Sequence, residues 1–329
     1  MTRAYATEAV RLECRKGAVL GCAEVSLTDS VTAVPATVRA DRTWRQTVGS
    51  YVALTKPRII ELLLVTTVPT MIVAERGLPS LWLMTATVIG GTLAAGGANA
   101  INMYVDRDID QVMDRTKKRP IASGAVSPRS ALVFAITIEA AAFFLLWGTV
   151  NLLSAVLAVA ATLFYVFVYT LWLKRTSKNN IVIGGAAGAA PVLIGWSAVT
   201  NSLAWPPVIL FAVIFIWTPP HFWSLAIKYR EDYAKVDVPM LPVVASLRTT
   251  AVSIFRYTLA LVALTVAFAP VADMGGLYLA SAIVLGGVFI WYSVRLMRDA
   301  SPAVAMRLFG WSITYLTLLF GAMAVDRLL

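Results

Sequence analysis

Nine apolar runs dominate this sequence and limit what it can fold into. Each approaches the roughly 20 residues that a helix needs to cross a bilayer, and the runs lie at about 59–75, 80–104, 131–149, 151–172, 179–199, 207–228, 251–270, 276–295 and 305–325. Turn-forming residues such as Pro79, Pro128 and Pro302 separate them. Because the runs are apolar on all sides, the pattern predicts an all-α polytopic membrane protein with about nine transmembrane helices.

The composition supports a membrane protein and excludes a soluble one. Hydrophobic residues make up 59% of the chain and charged residues 14%, whereas globular domains carry about 25% charged residues. A net charge of +10 in a soluble protein would suggest a nucleic-acid partner, but here the basic residues lie between the apolar runs. We therefore expect contact with a lipid bilayer and no nucleic-acid partner.

The basic residues predict the orientation of the chain. When successive connections are assigned to alternate sides, 26 of the 28 Lys and Arg residues fall on one side, and only Arg76 and Arg327 fall on the other. Cytoplasmic loops carry the excess of positive charge. The distribution predicts a multi-pass protein of the cell membrane with its N-terminus in the cytoplasm and its C-terminus outside.

The N-terminal segment differs from the rest of the chain. Residues 1–48 are polar and basic, and they contain no apolar stretch long enough for a span or a signal peptide. Cys14 and Cys22 lie in this segment, at a spacing that fits neither a CxxC nor a haem-attachment motif. We predict a disordered or surface-bound cytoplasmic extension over 1–48 and a transmembrane domain over 49–329.

Two acid-rich connections follow the second and sixth runs. In the first, Asn102, Asp106, Asp110 and Asp114 recur every four residues and would follow one face of a helix. Oxygen ligands of this kind suit Mg²⁺ with a phosphate-bearing molecule, although Asp108 and Asp114 are better explained as solvated and salt-bridged. In the second, Asp232 and Asp237 are candidate metal ligands that converge only if the backbone leaves the helix between them.

Basic residues near these acids are candidates for diphosphate binding. They are Lys56, Arg58, Arg115, Arg119 and Lys174. The asymmetry of charge between the two sides of the membrane explains some of them equally well.

One histidine, His221, lies inside the sixth run directly after Pro219 and Pro220. The prolines should kink the helix and free two carbonyls, and His221 either satisfies one of them or ligates haem iron. Tyr165 and Tyr169 could present π faces to a cation in an apolar tunnel, although packing explains such aromatic residues equally well.

Four motifs together resemble a known family. Asn-x-x-x-Asp-x-x-x-Asp at 102–110, followed by Asp-Arg-Thr-x-x-Arg-Pro at 114–120, is similar to the first aspartate motif of the UbiA superfamily of intramembrane prenyltransferases. Leu-Thr-Lys-Pro-Arg at 54–58, Trp-Thr-Pro-Pro-His-Phe-Trp at 217–223 and the stretch 229–242 look like those of the protoheme IX farnesyltransferases (haem O synthases). The resemblance covers roughly residues 50–325.

The resemblance implies nine helices around a cavity open to the cytoplasmic side. It implies transfer of a farnesyl group from farnesyl diphosphate to a vinyl group of haem B, with water addition, giving haem O for terminal oxidase assembly. It assigns Mg²⁺ as cofactor, a catalytic metal–diphosphate role to Asn102, Asp106 and Asp110, and the second-motif role to Asp232. Val236 stands where the usual second motif has another Asp. Haem A synthase or oxidase assembly factors are potential partners.

Two other functions remain open at this point. One is a UbiA-type prenyltransferase acting on an aromatic quinone precursor such as a hydroxybenzoate, against which the stretch 217–223 argues. The other is an ion transporter, which would favour carboxylates at the bilayer midplane. Glu61 and Glu139 are interpreted here as lying near the ends of their runs.

Overall fold

The computed structural model describes residues 43–329, except for the side chains of residues 58–64. The described chain is helical and contains no strand. Its elements are α1 (Trp44–Thr55), α2 (Pro57–Glu75), α3 (Leu81–Val105), α4 (Arg107–Val112), α5 (Pro128–Thr149), α6 (Leu152–Leu163), a π-helical segment (Phe164–Leu173), α7 (Lys174–Thr176), α8 (Asn180–Thr200), α9 (Trp205–Lys228), α10 (Arg230–Ala234), α11 (Leu241–Val244), α12 (Leu247–Val271), α13 (Gly276–Arg298) and α14 (Pro302–Leu328).

The long helices confirm the prediction of an all-α membrane protein. Eight helical spans in the described part of the chain are long and apolar enough to cross a bilayer, counting Leu152–Thr176 as one span. The helix α2 is a ninth long helix, and the described part of its side chains, Val65–Glu75, is also apolar. These nine helices correspond one for one to the nine apolar runs.

The boundary of the N-terminal extension differs from the prediction. Residues 44–48, expected in the extension, form the start of α1, where the Thr43 side chain accepts a hydrogen bond from the Gln46 amide and the Gln46 side chain accepts one from Thr43. This reciprocal capping box stabilises a helix start. The rest of the extension, including both cysteines, lies outside the described residues.

Short polar side chains fix where the long helices begin. Ser80, Ser127, Asn151, Ser246 and Ser301 each accept a hydrogen bond from an amide in the first turn that follows. The first four amides of a helix have no partner within it, so these caps replace water where the chain re-enters the apolar layer.

The centre of the bundle is formed by α8 and α9, which are the most buried of the spans. Helix α8 packs against α2, α6 and α9, and α9 packs against α12 and α14. Glycines allow the close approach, because a Cβ at Gly195 would lie 2.8 Å from the Thr67 carbonyl oxygen of α2. Small residues serve this purpose at interfaces between membrane helices.

The two adjacent prolines do not interrupt α9. The helix runs through Pro219 and Pro220 to Lys228. Side chains near them bond to backbone carbonyls, with the Thr218 hydroxyl donating to Ile214 and the Ser224 hydroxyl donating to Pro220. These bonds are made to Ile214 and Pro220 and not to the carbonyls of Phe215 and Ile216, which lose their amide donors to the two prolines.

Two features of the spans were not expected. The span Leu152–Thr176 contains ten π-helical residues, Phe164–Leu173. Glu139 lies in the middle of α5, where it accepts a hydrogen bond from the Thr162 hydroxyl at 3.1 Å. The interpretation of Glu139 as an end-of-span residue was therefore wrong, because the helix begins at Pro128 and ends at Thr149.

Candidate active site

Asn102, Asp106 and Asp110, together called the acid row, lie where α3 passes into α4. The Asp106 amide donates to the Asn102 carbonyl and the Asp110 amide to the Asp106 carbonyl, both at 2.9 Å, so the helical turn continues across the junction. Asn102, Asp106 and Asp110 are all buried, and Asp106 is 0% exposed. The Asn102 side-chain amide donates to Asp106 Oδ2 at 2.7 Å. The fourfold spacing therefore brings the three predicted side chains together.

Three of the predicted basic residues contact this acid row, one each. Lys56 Nζ donates to Asn102 Oδ1 at 2.9 Å, and Arg119 Nη1 lies 2.8 Å from both carboxylate oxygens of Asp110. Lys174 pairs with Asp106 Oδ2. These residues come from the α1–α2 junction, the α4–α5 connection and α7, so three separate segments contribute one cation each.

The cations of the site outnumber its buried carboxylates, since Lys56, Arg119 and Lys174 lie against a row that contains two, Asp106 and Asp110. Burial lowers the pKa of Lys56 well below its usual value, and the nearby charges of Arg119 and Lys174 lower it further. Asp106 and Asp110 act in the opposite direction but do not cancel the effect. An added anion would stabilise the charged form of Lys56, so the electrostatics favour binding of an anionic group here.

One oxygen of Asp106 lacks a partner. Its Oδ1 is buried without a hydrogen bond, and the nearest guanidinium nitrogen, Arg175 Nη2, lies 3.8 Å away. A buried, unsatisfied carboxylate oxygen is costly and often marks a missing ion or water. Within residues 43–329, outside the undescribed side chains, no three His, Cys, Asp or Glu groups come together closely enough to hold a metal by themselves.

The second acid-rich connection supplies Asp232 but places Asp237 elsewhere. Asp232 is buried and accepts hydrogen bonds from the Arg115 amide at 3.1 Å and from Lys235 Nζ at 3.3 Å. The helix α10 ends at Ala234, and Asp237 is exposed in a left-handed conformation with φ of 52°. The backbone leaves the helix between the two acids, which was the condition for their convergence, but Asp232 is buried whereas Asp237 is exposed.

Arg115 joins the two acid-rich connections. Its Nη2 donates to the Tyr233 hydroxyl at 3.2 Å, and its guanidinium lies 5.4 Å from the Tyr229 ring centroid. Lys235 adds a second link through Asp114 at 2.9 Å. These contacts dock the connection after α3 onto the connection after α9.

Asp108 and Asp114 are exposed and salt-bridged, as their surface interpretation predicted. Hydrogen bonds from Arg175 lower the pKa of Asp108 to about 2. Hydrogen bonds from Lys117 and Lys235 lower the pKa of Asp114 to about 2. The remaining basic candidate, Arg58, has a side chain outside the described residues.

His221 is buried in an aromatic setting. It stacks against Trp217 with ring centroids 4.3 Å apart and against Phe309 at 4.6 Å. Its Nδ1 lies 2.7 Å from the Ser312 hydroxyl oxygen. His221 therefore bonds to a side chain of α14 and not to a carbonyl freed by the prolines.

Tyr165 and Tyr169 form a stacked pair on the π-helical segment, with centroids 5.4 Å apart. Thr170 of the same segment accepts a hydrogen bond from the Asn102 side chain at 3.3 Å. Gly184 of α8 makes room for the pair, since a Cβ there would lie 2.3 Å from Tyr169 Cδ2. The segment that carries the pair is thus tied to the acid row through Thr170.

Comparison with known proteins identifies the family. The model of the UbiA prenyltransferase family matches residues 63–320. The chain belongs to the UbiA prenyltransferase family. It is 56% identical to a protoheme IX farnesyltransferase of Parafrankia sp. over 85% of this chain and 90% of that protein. It is 54% identical to one from Streptomyces coelicolor, covering 86% and 91%.

Solved structures of UbiA proteins share the fold at low sequence identity. A structure described for digeranylgeranylglyceryl phosphate synthase has a TM-score of 0.71 and 17% identity, over 86% of this chain and 99% of that one. A UbiA homolog from Archaeoglobus fulgidus, bound to GPP and Mg²⁺, has a TM-score of 0.59 and 17% identity, over 84% and 99%. The predicted family and the UbiA-like bundle are confirmed.

Three contact residues of this UbiA protein were not found from the sequence. Thr170 accepts a hydrogen bond from Asn102 at 3.3 Å, Ser312 contacts His221, and Lys235 contacts Asp232. Thr170 and Ser312 are hydroxyl residues within apolar runs, where such a side chain more often bonds to a carbonyl of its own helix. Only the arrangement of helices distinguishes them.

Proposed function

We propose that this protein transfers a farnesyl group from farnesyl diphosphate to a vinyl group of haem B, with addition of water, giving haem O and diphosphate. The observation that carries the proposal is the buried row of Asn102, Asp106 and Asp110 with one cation on each, at the end of an apolar helix bundle. The haem substrate is inferred from the names of the relatives that are 54–56% identical.

Mg²⁺ fits the oxygen atoms of this site. The Oδ1 of Asp106, which has no hydrogen bond, and the carboxylate of Asp110 would hold Mg²⁺, which binds carboxylate oxygens together with phosphate oxygens and water. Asp232 would contribute from the second connection once Lys235 releases it, whereas exposed Asp237 is less well placed. When bound, Mg²⁺ would neutralise the diphosphate and make it a better leaving group.

The basic side chains are arranged to exchange partners when the substrate arrives. Lys56, Lys174 and Arg119 are held against the acid row. A diphosphate entering among them would take up their hydrogen bonds, which would leave Asp106 and Asp110 free to hold Mg²⁺. Positive charges fixed in place before the reaction stabilise the charge that develops on the leaving diphosphate. Arg115 and Arg58 would add to the same field.

The apolar side of the site would protect the farnesyl cation. Tyr165 and Tyr169 form a stacked pair on the segment that Thr170 bonds to Asn102, and aromatic faces attract cations. The surrounding helices exclude water until the cation reaches the vinyl carbon. We place this chemistry on the cytoplasmic side of the cell membrane, with the N-terminus inside, on the basis of the positive charge of the connections.

His221 is suited to bind haem iron because of its hydrogen bond. The Ser312 hydroxyl donates its only hydrogen to the Phe309 carbonyl at 2.6 Å. It therefore accepts the Nδ1–H of His221 at 2.7 Å, which leaves the lone pair on Nε2. A neutral imidazole in this tautomer is a good iron ligand.

Purified protein with haem B, farnesyl diphosphate and MgCl₂, with the haem products analysed by mass, tests the proposal. We expect a hydroxyethylfarnesyl haem that disappears with EDTA and with Asp106→Ala. Asp299→Ala is the matched control, because Asp299 is an exposed acid that only caps the turn before α14. Prenylation of a hydroxybenzoate with haem untouched would refute the haem substrate and keep the family chemistry.

A further inference from the structure

One buried polar side chain beside the candidate site has no part in the proposed transfer. Asn180, the first residue of α8, is 0% exposed. Its Nδ2 donates to the backbone carbonyl of Lys174 at 3.3 Å, and its Oδ1 is buried without a hydrogen bond. Only the amide nitrogen can donate to a carbonyl, so this bond also fixes which way the side-chain amide is turned. Asn180 therefore holds the backbone of the lysine that pairs with Asp106.

Helix capping does not explain this asparagine. An asparagine at the start of a helix usually accepts a hydrogen bond from an amide of the first turn. In α8 the cap position belongs to Asn179, whose side chain makes no capping bond. Asn180 lies one position further on, and its bond runs back out of the helix to α7, six residues earlier in the chain.

Stability does not explain Asn180 either. A neutral hydrogen bond contributes little net free energy to folding, and a buried oxygen without a partner is costly. Asn180 makes one such bond and leaves Oδ1 unsatisfied, so its net contribution to the stability of the fold is small. What its side chain does provide is a fixed position for the Lys174 carbonyl.

Lys174 lies where the π-helical segment passes into α7. Its amide donates to the Tyr169 carbonyl five residues earlier, as in a π-helix. In the described part of the chain no backbone amide donates to its carbonyl, so the Asn180 side chain supplies the bond that the main chain lacks. The lysine ammonium lies on a flexible four-carbon stem that starts at this backbone. Fixing the carbonyl therefore limits where the ammonium can lie.

We propose that Asn180 is a positioning residue, which holds Lys174 in place to bind the diphosphate of the farnesyl substrate. This inference rests on the proposed function, because Asn180 acts through the contact that Lys174 would make with the diphosphate. Asn180 itself touches no substrate and fixes the backbone from which Lys174 reaches Asp106. Because small misplacements of a binding group weaken its contact with a substrate, loss of the Asn180 bond should weaken diphosphate binding.

The first test measures binding of farnesyl diphosphate to purified full-length protein by titration calorimetry, with MgCl₂ present and haem absent. Asn180→Leu removes the donor and keeps a side chain of similar size, and we expect about tenfold weaker binding. Asn179→Leu is the matched control, because Asn179 is the neighbouring asparagine, is exposed and makes no capping bond. Its affinity should equal that of the wild type. Equal affinity of the two variants would overturn the proposal.

A double-mutant cycle with Lys174→Met tests whether Asn180 acts through the lysine. Two residues that act through one contact are not additive. Once the ammonium is absent, Asn180→Leu should weaken binding of farnesyl diphosphate no further. The same loss of affinity in both backgrounds would show that Asn180 acts by another route, and the proposal would be wrong.

Thermal unfolding separates positioning from a structural role. Asn180→Leu should unfold at a temperature close to that of the wild type, so that its weaker binding cannot be ascribed to a damaged fold. A lowered unfolding temperature together with full affinity for farnesyl diphosphate in the cold would assign Asn180 to stability alone and overturn the proposal.

The single variant Lys174→Met distinguishes failure of this inference from failure of the proposed function. If Lys174→Met binds farnesyl diphosphate as tightly as the wild type, the diphosphate role of Lys174 is wrong and the role of Asn180 falls with it. If Lys174→Met binds weakly while Asn180→Leu binds normally, the role of Lys174 stands and only the inference about Asn180 is refuted.

Discussion

At the scale of single residues, the site is a set of one-to-one pairs between acids and cations. Asp106 is fully buried and pairs with Lys174, while Asp110 is 2% exposed and pairs with Arg119. A buried charge that loses its partner is strongly destabilising. Substitution of one partner therefore reports on both stability and catalysis, and the two effects have to be separated.

Lys174→Met is expected to lower both the catalytic activity and the stability of the protein. Loss of the cation should reduce kcat/KM for farnesyl diphosphate by about 100-fold and the stability of the protein by about 3 kcal/mol. The double variant Asp106→Asn with Lys174→Met should regain stability, since no uncompensated charge remains, but not activity. Steady-state kinetics and thermal unfolding measure the two quantities.

Lys178→Met is the control for this pair of variants, because Lys178 is an exposed lysine four residues further along the chain. Its activity and stability should match the wild type. Full activity in Lys174→Met would contradict the assignment of Lys174 to the diphosphate.

His221→Phe should change the binding of haem and leave the binding of farnesyl diphosphate unchanged. A phenyl ring keeps the stack between Trp217 and Phe309 but offers no lone pair to iron. We expect an altered absorption spectrum of bound haem B and an unchanged KM for farnesyl diphosphate. A spectrum identical to that of the wild type would argue against iron ligation by His221.

At the scale of elements, the π-helical segment Phe164–Leu173 places groups that a regular α-helix would place differently. The Thr170 hydroxyl donates to the Tyr165 carbonyl and accepts from Asn102, so the segment is tied directly to the acid row. π-helical turns inside membrane helices are frequent at functional sites. The stacked pair Tyr165 and Tyr169 depends on the same segment.

Gly184→Ala should disturb this segment from the neighbouring helix. The new Cβ would lie 2.3 Å from the Tyr169 ring, which therefore has to move. Because small misplacements of catalytic groups are costly, we expect kcat to fall by about 10- to 100-fold with the fold retained. Gly188→Ala on the same helix meets nothing within 4 Å and is the matched control. Equal activity of the two variants would show that the tyrosine pair is dispensable.

At the scale of the whole molecule, the orientation in the membrane is a prediction of the charge pattern. Cys14 and Cys22 are the only cysteines of the chain and lie in its N-terminal segment. A membrane-impermeant maleimide should label them only after cells are permeabilised. In a background with both cysteines replaced by serine, Leu329→Cys should be labelled in intact cells. The reverse pattern would invert the topology.

The sequence by itself determined the number and approximate ends of the long helices, since hydropathy follows directly from residue type. It also predicted the cluster of Asn102, Asp106 and Asp110, because a fourfold spacing places residues on one helix face whatever surrounds them. The resemblance in four motifs was sufficient for the family, which the comparisons confirm.

Only the tertiary structure decided which residues from distant segments meet. Of the basic candidates, Lys56, Lys174 and Arg119 contact the acid row. His221 bonds to Ser312, and Asp237 is exposed. Arg76 and Arg327 line one pocket. Such contacts depend on how helices pack and on local departures such as the π-helical segment. No period in the sequence encodes them, because they arise from the summed packing of many small and apolar side chains.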